Sequence, residues 1–109
     1  MTESADISVN FAGIKLSNPV FTASGTCGYA DELAEYTNVN ALGGFITKSI
    51  TKDPRKGNPV PRIVETDAGM LNAIGLANIG LKQFIEEKLP LLEKMSHAVF
   101  VNEADQTMD

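Results

Sequence analysis

The chain has 109 residues, of which 43% are hydrophobic and 21% charged, so it suits one small globular domain and is too apolar for wholesale disorder. A formal net charge of -5 excludes the basic footprint of a nucleic-acid-binding protein, and a single cysteine excludes an internal disulfide or a multi-cysteine zinc site. No apolar run approaches the ~18 residues of a membrane span, and the first ten residues do not resemble a signal peptide. We therefore expect a cytoplasmic protein, with which a lone cysteine agrees.

Short apolar or alternating runs predict the strands of this chain. They are residues 7–11 and 14–16, which form a hairpin through a turn at Ala12 and Gly13, and the later runs 19–23, 43–48 and 97–102. The three later runs alternate with predicted helices. That order favours a parallel sheet with right-handed crossovers.

Two helices are predicted between the later strands. The first covers residues 31–36 and has acidic residues near its start. The second follows Asn78, which can cap it, and Pro90 should kink or split it because proline lacks the helical N–H. The stretch 50–77 before it is irregular and contains a small predicted hairpin arm near residues 62–66; loops of this length are uncommon and often functional.

Two architectures fit this order of elements: an open doubly wound sheet and a (β/α)8 barrel. A complete barrel needs about 250 residues, so this chain could supply only about three of the eight βα units. In both architectures ligands meet the carboxyl ends of the strands. The residues that follow each predicted strand are therefore the candidates for a binding site.

The first two strand ends carry small residues and a lysine. Ser24 and Gly25 follow the first strand of the sheet, where small side chains let a flat ligand approach the backbone; the alternative is simply a tight turn. Lys48 ends the second strand, and a lysine there must reach an anion or water. The alternative for Lys48 is a side chain that extends its charged end to the surface.

Amide side chains mark the other candidate positions. Asn72 offers a donor and an acceptor together, which suits the amide edge of a heterocycle, whereas a packed loop with Asn78 as a helix cap is the alternative for residues 69–78. Asn102 ends the third strand and either faces the same pocket or bonds loop backbone. Cys27 and His97 form no evident pair, so we expect both to be structural. Neither a P-loop nor a GxGxxG motif is present.

Four segments, in this order along the chain, resemble class 1 of the dihydroorotate dehydrogenase family. Their sequences are most like those of the catalytic subunit of its class 1B, NAD-dependent form. They are residues 18–25 (NPVFTASG), 44–49 (GFITKS), 57–62 (GNPVPR) and 69–76 (GMLNAIGL). The resemblance extends from about residue 6 to Asn102. It implies the N-terminal part of a (β/α)8 TIM barrel, with about three βα units and a hairpin, and FMN at the C-terminal face. It also implies oxidation of dihydroorotate to orotate in pyrimidine (UMP) biosynthesis.

The resemblance assigns roles residue by residue. The positions that match FMN-binding residues are Ser24, Lys48, Ser49 and Asn102. The positions that match substrate-binding residues are Lys48, Asn72, Ala73, Ile74, Gly75 and Leu76. No metal ligand is implied. The cysteine base of class 1 and the loops for the FMN phosphate are expected beyond residue 109, and Cys27 does not match that base.

The resemblance further implies partners and a boundary. An electron-transfer subunit with FAD and a 2Fe-2S cluster would pass electrons to NAD, and the catalytic subunits would form a homodimer within a heterotetramer. Residues 1–102 are predicted to form the barrel portion, whereas residues 103–109 depart from the family pattern as an acidic tail. Two alternatives stay open: a class 1A, fumarate-linked enzyme, and a truncated fragment without catalytic activity.

Overall fold

The computed structural model describes residues 4–105, which form an α/β structure of short strands and helices. The strands are β1 (Val9–Phe11), β2 (Ile14–Leu16), β3 (Gly44–Ile46), β4 (Ile63–Thr66), β5 (Gly69–Asn72) and β6 (Ala98–Phe100). The helical segments are α1 (Asp31–Ala34), a 3-10 turn (Val39–Ala41), α2 (Leu81–Gln83), a π-helical turn (Phe84–Lys88) and α3 (Leu89–Leu92).

The predicted N-terminal hairpin is confirmed. Strands β1 and β2 pair antiparallel, with Val9 opposite Leu16 and Phe11 opposite Ile14. The two turn residues have positive φ angles, 50° at Ala12 and 86° at Gly13. A turn with two left-handed residues matches the right-handed twist of the strands that it joins, which is why two-residue hairpins favour it.

The parallel sheet that the alternation of strands and helices predicts is also confirmed. Strands β3 and β6 pair in parallel, with Gly44 beside Ala98 and Ile46 beside Phe100. Phe21 forms a parallel bridge to Gly44 on the other side of β3. The spatial order is thus the segment around Phe21, then β3, then β6, with a helical connection before each of the last two.

Residues 19–23 do not form the regular strand that was predicted. The hydroxyl of Thr22 accepts a hydrogen bond from the Ile46 N–H at 2.9 Å and donates one to the Ile46 carbonyl at 3.2 Å. A side chain therefore takes the place of the main-chain ladder beyond Phe21, and only a single bridge remains.

The long irregular stretch contains a complete two-stranded arm. Strands β4 and β5 pair antiparallel from Ile63 opposite Asn72 to Thr66 opposite Gly69, and all their residues are exposed. The arm predicted near residues 62–66 is confirmed. The interpretation of residues 69–72 as loop is wrong, because their backbone pairs with β4.

The second helical region begins later than the sequence predicts, and Asn78 does not cap it. Gly80 occupies the N-cap position, and no side chain there bonds the first turn. Pro90 does not split this region, because α2, the π-helical turn and α3 follow one another without a break; the regular α-helix is disturbed only by the π-helical turn, which ends at Lys88 just before the proline in the first turn of α3. The first helix, α1, is a single turn and ends before the predicted residue 36.

The core lies between the sheet and the helices. Phe45 of β3 is fully buried and packs in a cluster with Tyr29, Ala30, Ile50, Phe84 and Leu92. An ion pair of 2.5 Å between Asp31 and Lys88 joins α1 to the second helical region.

The opposite face of the sheet carries three aromatic rings. The rings of Phe11, Phe21 and Phe100 lie 5.6–5.9 Å apart. A Cβ atom on Gly44 would lie 2.4 Å from Phe21, so this close packing requires a glycine. The hairpin is thereby fixed onto this face of the sheet.

Much of the apolar surface is not covered. Among residues 4–105, fifteen large hydrophobic side chains are exposed, and only eight hydrophobic residues are buried. Within the same residues, no helix is both long and apolar enough to cross a membrane.

Candidate functional site

Three strand ends meet at the carboxyl edge of the parallel sheet. The chain leaves the segment around Phe21 at Ser24, leaves β3 at Lys48 and Ser49, and leaves β6 at Asn102. Parallel strands bring their carboxyl ends to one edge, so residues far apart in sequence become neighbours. All four residues predicted for cofactor binding lie at this edge.

A hydrogen-bond network joins three of these residues. The Asn102 amide nitrogen donates to Ser24 Oγ at 2.6 Å and to Ser49 Oγ at 2.8 Å. Ser24 Oγ in turn donates to the Thr47 carbonyl at 2.9 Å, and Thr47 Oγ1 accepts the Asn102 N–H at 3.1 Å. Both amide hydrogens of Asn102 are therefore used, which fixes Oδ1 as the acceptor that this amide can offer.

Lys48 lies half-buried beside this network and lines a cavity of about 440 Å³. Its N–H donates to the Gly28 carbonyl at 2.9 Å, which anchors the backbone at the cavity wall. The residues around the cavity come from three loops and one helix start: Gly25, Thr26, Gly28, Tyr29, Glu32, Lys48, Arg55, Ala77, Asn78 and Ile79. Its charged groups are two cations, Lys48 and Arg55, and one carboxylate, Glu32, so the cavity is suited to an anionic ligand.

Arg55 and Tyr29 were not singled out by the sequence. Arg55 reaches the cavity because its N–H and carbonyl pair with Asn78, each at 2.9 Å. Burial raises the pKa of the Tyr29 phenol above its ordinary value, so the hydroxyl stays neutral at pH 7. The sequence shows a basic residue, Arg55, within the irregular stretch 50–77. The neighbouring residues do not indicate where that stretch packs, so its place at the cavity could not be predicted.

The predicted substrate loop, residues 72–76, is braced from outside. The Asn58 N–H donates to the Ile74 carbonyl at 3.0 Å, and its amide donates to the Ala73 carbonyl at 2.9 Å. The Asn78 amide donates to the Leu76 carbonyl at 2.9 Å. Gly75 and Leu76 both have positive φ angles, 74° and 56°, which turn the chain toward Ala77 and the cavity.

None of residues 72–76 lines the Lys48 cavity; only the residues that follow this loop do. Ala77 and Asn78 line it, whereas Asn72 is the exposed last residue of β5, at the base of the arm. Of the predicted site residues, Lys48 alone lines the cavity, and the Ser24, Ser49 and Asn102 network lies directly beside it at the sheet edge.

The segment 57–62 has a role that its sequence did not reveal. The Arg62 guanidinium donates to the Asn58 carbonyl at 2.6 Å and to the Lys56 carbonyl at 2.8 Å. A Cβ atom on Gly57 would lie 2.3 Å from the Ile74 carbonyl oxygen, so the two loops touch backbone to backbone. This clamp holds Asn58 where it can bond the substrate loop.

The remaining candidates lie outside the cavity. Cys27 is half-buried and packs against the core, and His97 Nδ1 lies 3.0 Å from the Ala98 carbonyl. In the described part of the chain no three His, Cys, Asp or Glu residues are placed to hold a metal ion. Of the predicted tail, Glu103 pairs with Ile50 and the Ala104 N–H donates to the Ile50 carbonyl, while residues 106–109 lie outside the described residues.

Comparisons with known proteins identify the family. A family model described as dihydroorotate dehydrogenase matches residues 6–109. The chain is 53% identical over 104 residues to the catalytic subunit of dihydroorotate dehydrogenase B (NAD(+)) from Geobacter sulfurreducens, covering 95% of this chain and 34% of that protein. It is 57% identical over 99 residues to the same subunit from Endomicrobium trichonymphae, covering 91% of this chain and 32% of that protein.

A solved structure supports the same assignment. The chain matches a crystal structure of DHODH from Eimeria tenella in complex with ferulenol, with a TM-score of 0.73, 26% identity, and coverage of 95% of this chain and 30% of that one. The chain thus spans about a third of the length of these proteins. By the family model and by its similarity to the curated catalytic subunits, the chain belongs to the dihydroorotate dehydrogenase family.

Proposed function

We propose that this chain contributes part of the flavin and substrate site of an NAD-dependent dihydroorotate dehydrogenase, which oxidises dihydroorotate to orotate in pyrimidine biosynthesis. The observation that carries the proposal is the convergence of Ser24, Ser49 and Asn102 at the carboxyl edge of the sheet, beside the Lys48 cavity. The names of the similar proteins, catalytic subunits of the NAD(+) form, support the choice of class.

The residues at this edge fit the polar edge of FMN. Ser24 and Gly25 are small and exposed, so a flat ring can approach their backbone. Asn102 offers a fixed acceptor, and Ser49 and Lys48 add a hydroxyl and a cation beside it. When bound, FMN would supply the redox chemistry by accepting the hydride from C6 of dihydroorotate.

Lys48 and the braced loop are the parts of this chain that would act on the substrate. A lysine held at a cavity wall provides a positive charge that is already in place when negative charge develops, so no reorganisation is needed. Dihydroorotate carries a carboxylate, which matches the excess of cations in the cavity. Residues 72–76, held by Asn58 and Asn78, present backbone groups that are oriented before the ligand binds.

We assign no general base among residues 4–105. The proton at C5 of dihydroorotate requires an acceptor, and Cys27 packs against the core rather than at the cavity. We propose instead that the base is the cysteine that the resemblance to class 1 implies, at a position that none of the described residues matches. The same holds for the groups that bind the FMN phosphate.

The partners belong to the proposal as well. A subunit with FAD and a 2Fe-2S cluster would carry electrons to NAD, and two catalytic subunits would pair within a heterotetramer. The relatives are named as catalytic subunits, which supports a separate electron-transfer subunit. A fragment without activity of its own is the second candidate, which the many exposed apolar side chains favour for the isolated chain.

A chimera tests the proposal without requiring the chain to fold alone. Residues 6–102 replace the matched segment of the Geobacter sulfurreducens catalytic subunit, and the chimera is produced with and without that enzyme's electron-transfer subunit. We expect bound FMN, reduction of a dye by dihydroorotate, and reduction of NAD, but not of fumarate, when the partner is present. A folded chimera that binds no FMN, or that binds it and leaves dihydroorotate unchanged, would refute the proposal.

A further inference from the structure

The most heavily bonded amide near the cavity is that of Asn78, which the sequence suggested as a helix cap. Its Oδ1 accepts the N–H of Thr51 at 3.2 Å and the N–H of Gly80 at 2.9 Å. Its Nδ2 donates to Thr51 Oγ1 and to the Leu76 carbonyl, each at 2.9 Å. One side chain thus joins the segment that follows β3, the end of the substrate loop and the start of α2.

The backbone of Asn78 adds a fourth connection. Its N–H and carbonyl pair with Arg55, each at 2.9 Å. Thr51, the partner of the side chain, is 7% exposed and donates its hydroxyl to the Asp53 carbonyl at 2.6 Å. Oδ1 of Asn78 accepts a hydrogen bond from Thr51, and Nδ2 donates one to Leu76. The distance between the segments that contain Thr51 and Leu76 therefore depends on the Asn78 side chain.

Lys48 is three residues before Thr51, and Leu76 ends the predicted substrate loop. We infer that Asn78 is a positioning residue, which sets the substrate loop and Arg55 in register with Lys48 through its bonds to Thr51 and Leu76. The inference rests on the proposed function and gives Asn78 an indirect role in it, through the segments that its side chain holds. A misplaced loop raises the cost of binding substrate, since even small displacements of positioning groups lower catalytic efficiency strongly.

The decisive variant is Asn78→Asp in the chimera described above. Aspartate keeps the shape and the acceptor but cannot donate to Leu76, and it sets a carboxylate against that carbonyl. We expect the KM for dihydroorotate to rise about tenfold or more, with kcat changed less than threefold and FMN content unchanged, because the loop loses a bond and a carboxylate now lines a cavity suited to an anion; Thr51→Val, which adds no charge, tests the bond by itself. Asn40→Asp is the matched control, because Asn40 uses only its acceptor, toward Ser96, on an exposed surface.

A second variant removes the hydrogen bond between Asn78 and Thr51 by a change in Thr51. Thr51→Val removes the hydroxyl that Asn78 bonds while it preserves side-chain volume. If the two residues act as a unit, Thr51→Val raises KM in the same direction, and the double variant is no worse than the stronger single one. Additive effects, or a KM that stays unchanged in folded Asn78→Asp and Thr51→Val proteins, would overturn the inference.

Amide hydrogen exchange of residues 72–78 separates this inference from the proposed function. We expect faster exchange in that segment in Asn78→Asp than in the parent chimera or in Asn40→Asp, whether or not the parent is active. An inactive parent with this exchange pattern would refute the proposed function and keep Asn78 as the residue that positions the loop. Unchanged exchange would overturn the role of Asn78 even in an active enzyme.

Discussion

Replacement of Lys48 by alanine tests the charge at the centre of the candidate site. Two unit charges 4 Å apart interact by about 4 kcal/mol at the effective dielectric of 20 that suits a site near a protein surface. Lys48 is half-buried, which fits that dielectric, but Arg55 stays in the same cavity and retains part of the positive potential. The loss is therefore smaller than the full interaction, and the removal of one charge-stabilising group of this kind lowers turnover by about 10²-fold.

The assay is steady-state reduction of a dye by dihydroorotate in the chimera, together with orotate binding followed by the flavin absorbance. Orotate should bind more weakly in Lys48→Ala, because its carboxylate loses the same cation. Lys52→Ala is the matched control: it removes the same charge four residues further on, from an exposed side chain outside the cavity. Turnover and orotate affinity within threefold of the parent in Lys48→Ala would refute the role of this lysine.

Four other predictions use the same protein or the chain alone. Asn72→Ala should raise the KM for dihydroorotate more than it lowers FMN content, and a flavin-free variant with normal substrate affinity would contradict that assignment. Cys27→Ser should retain activity within about twofold, since the thiol packs against the core; loss of proton abstraction, seen as loss of hydrogen exchange at C5, would show the opposite. Burial raises the pKa of Asp31, but the hydrogen bond and charge of Lys88 outweigh it, so the pKa of this carboxyl lies below its ordinary value. Asp31→Asn should therefore cost about 0.5–1 kcal/mol of unfolding free energy at pH 7, and less as the pH falls through the lowered pKa; an equal cost at pH 7 and pH 2 in urea unfolding would contradict this. The 109-residue chain expressed alone should be poorly soluble, hold no stoichiometric FMN and leave dihydroorotate unchanged, because fifteen large apolar side chains are exposed among residues 4–105; a yellow, active and cooperatively unfolding chain would contradict this.

Local rules were enough for the order of elements and for the sheet edge where the candidate site lies. The alternation in residues 7–16 predicts the hairpin, and the apolar runs that end at Lys48 and Asn102 predict parallel strands. The carboxyl-end rule then brings Ser24, Ser49 and Asn102 together without knowledge of any contact. Each of these inferences depends only on side-chain periodicity and chain connectivity, which are properties of the sequence.

Other features depended on partners that are distant along the chain. Asn78 was expected to cap the helix that follows it; its Oδ1 accepts the N–H of Gly80 just before α2, but its amide nitrogen bonds Thr51, 27 residues earlier. Thr22 was expected to lie within a strand, but its hydroxyl replaces the ladder to Ile46, 24 residues away. A polar side chain can bond neighbouring backbone or a distant segment at similar energy, so local pattern does not decide between them.

The sequence by itself determined the class of fold, the edge of the sheet that carries the site, and the family. Only the tertiary structure decided which hydrogen bonds hold that edge, from the Asn102 amide on two serines to the Arg62 clamp on Asn58. The physical reason is that hydrogen bonds are directional and apolar burial is not. Apolar burial follows a repeating pattern along the chain, whereas a hydrogen bond requires two atoms within about 3 Å at a suitable angle. That condition is met only after the loops between residues 24 and 102 have packed against one another.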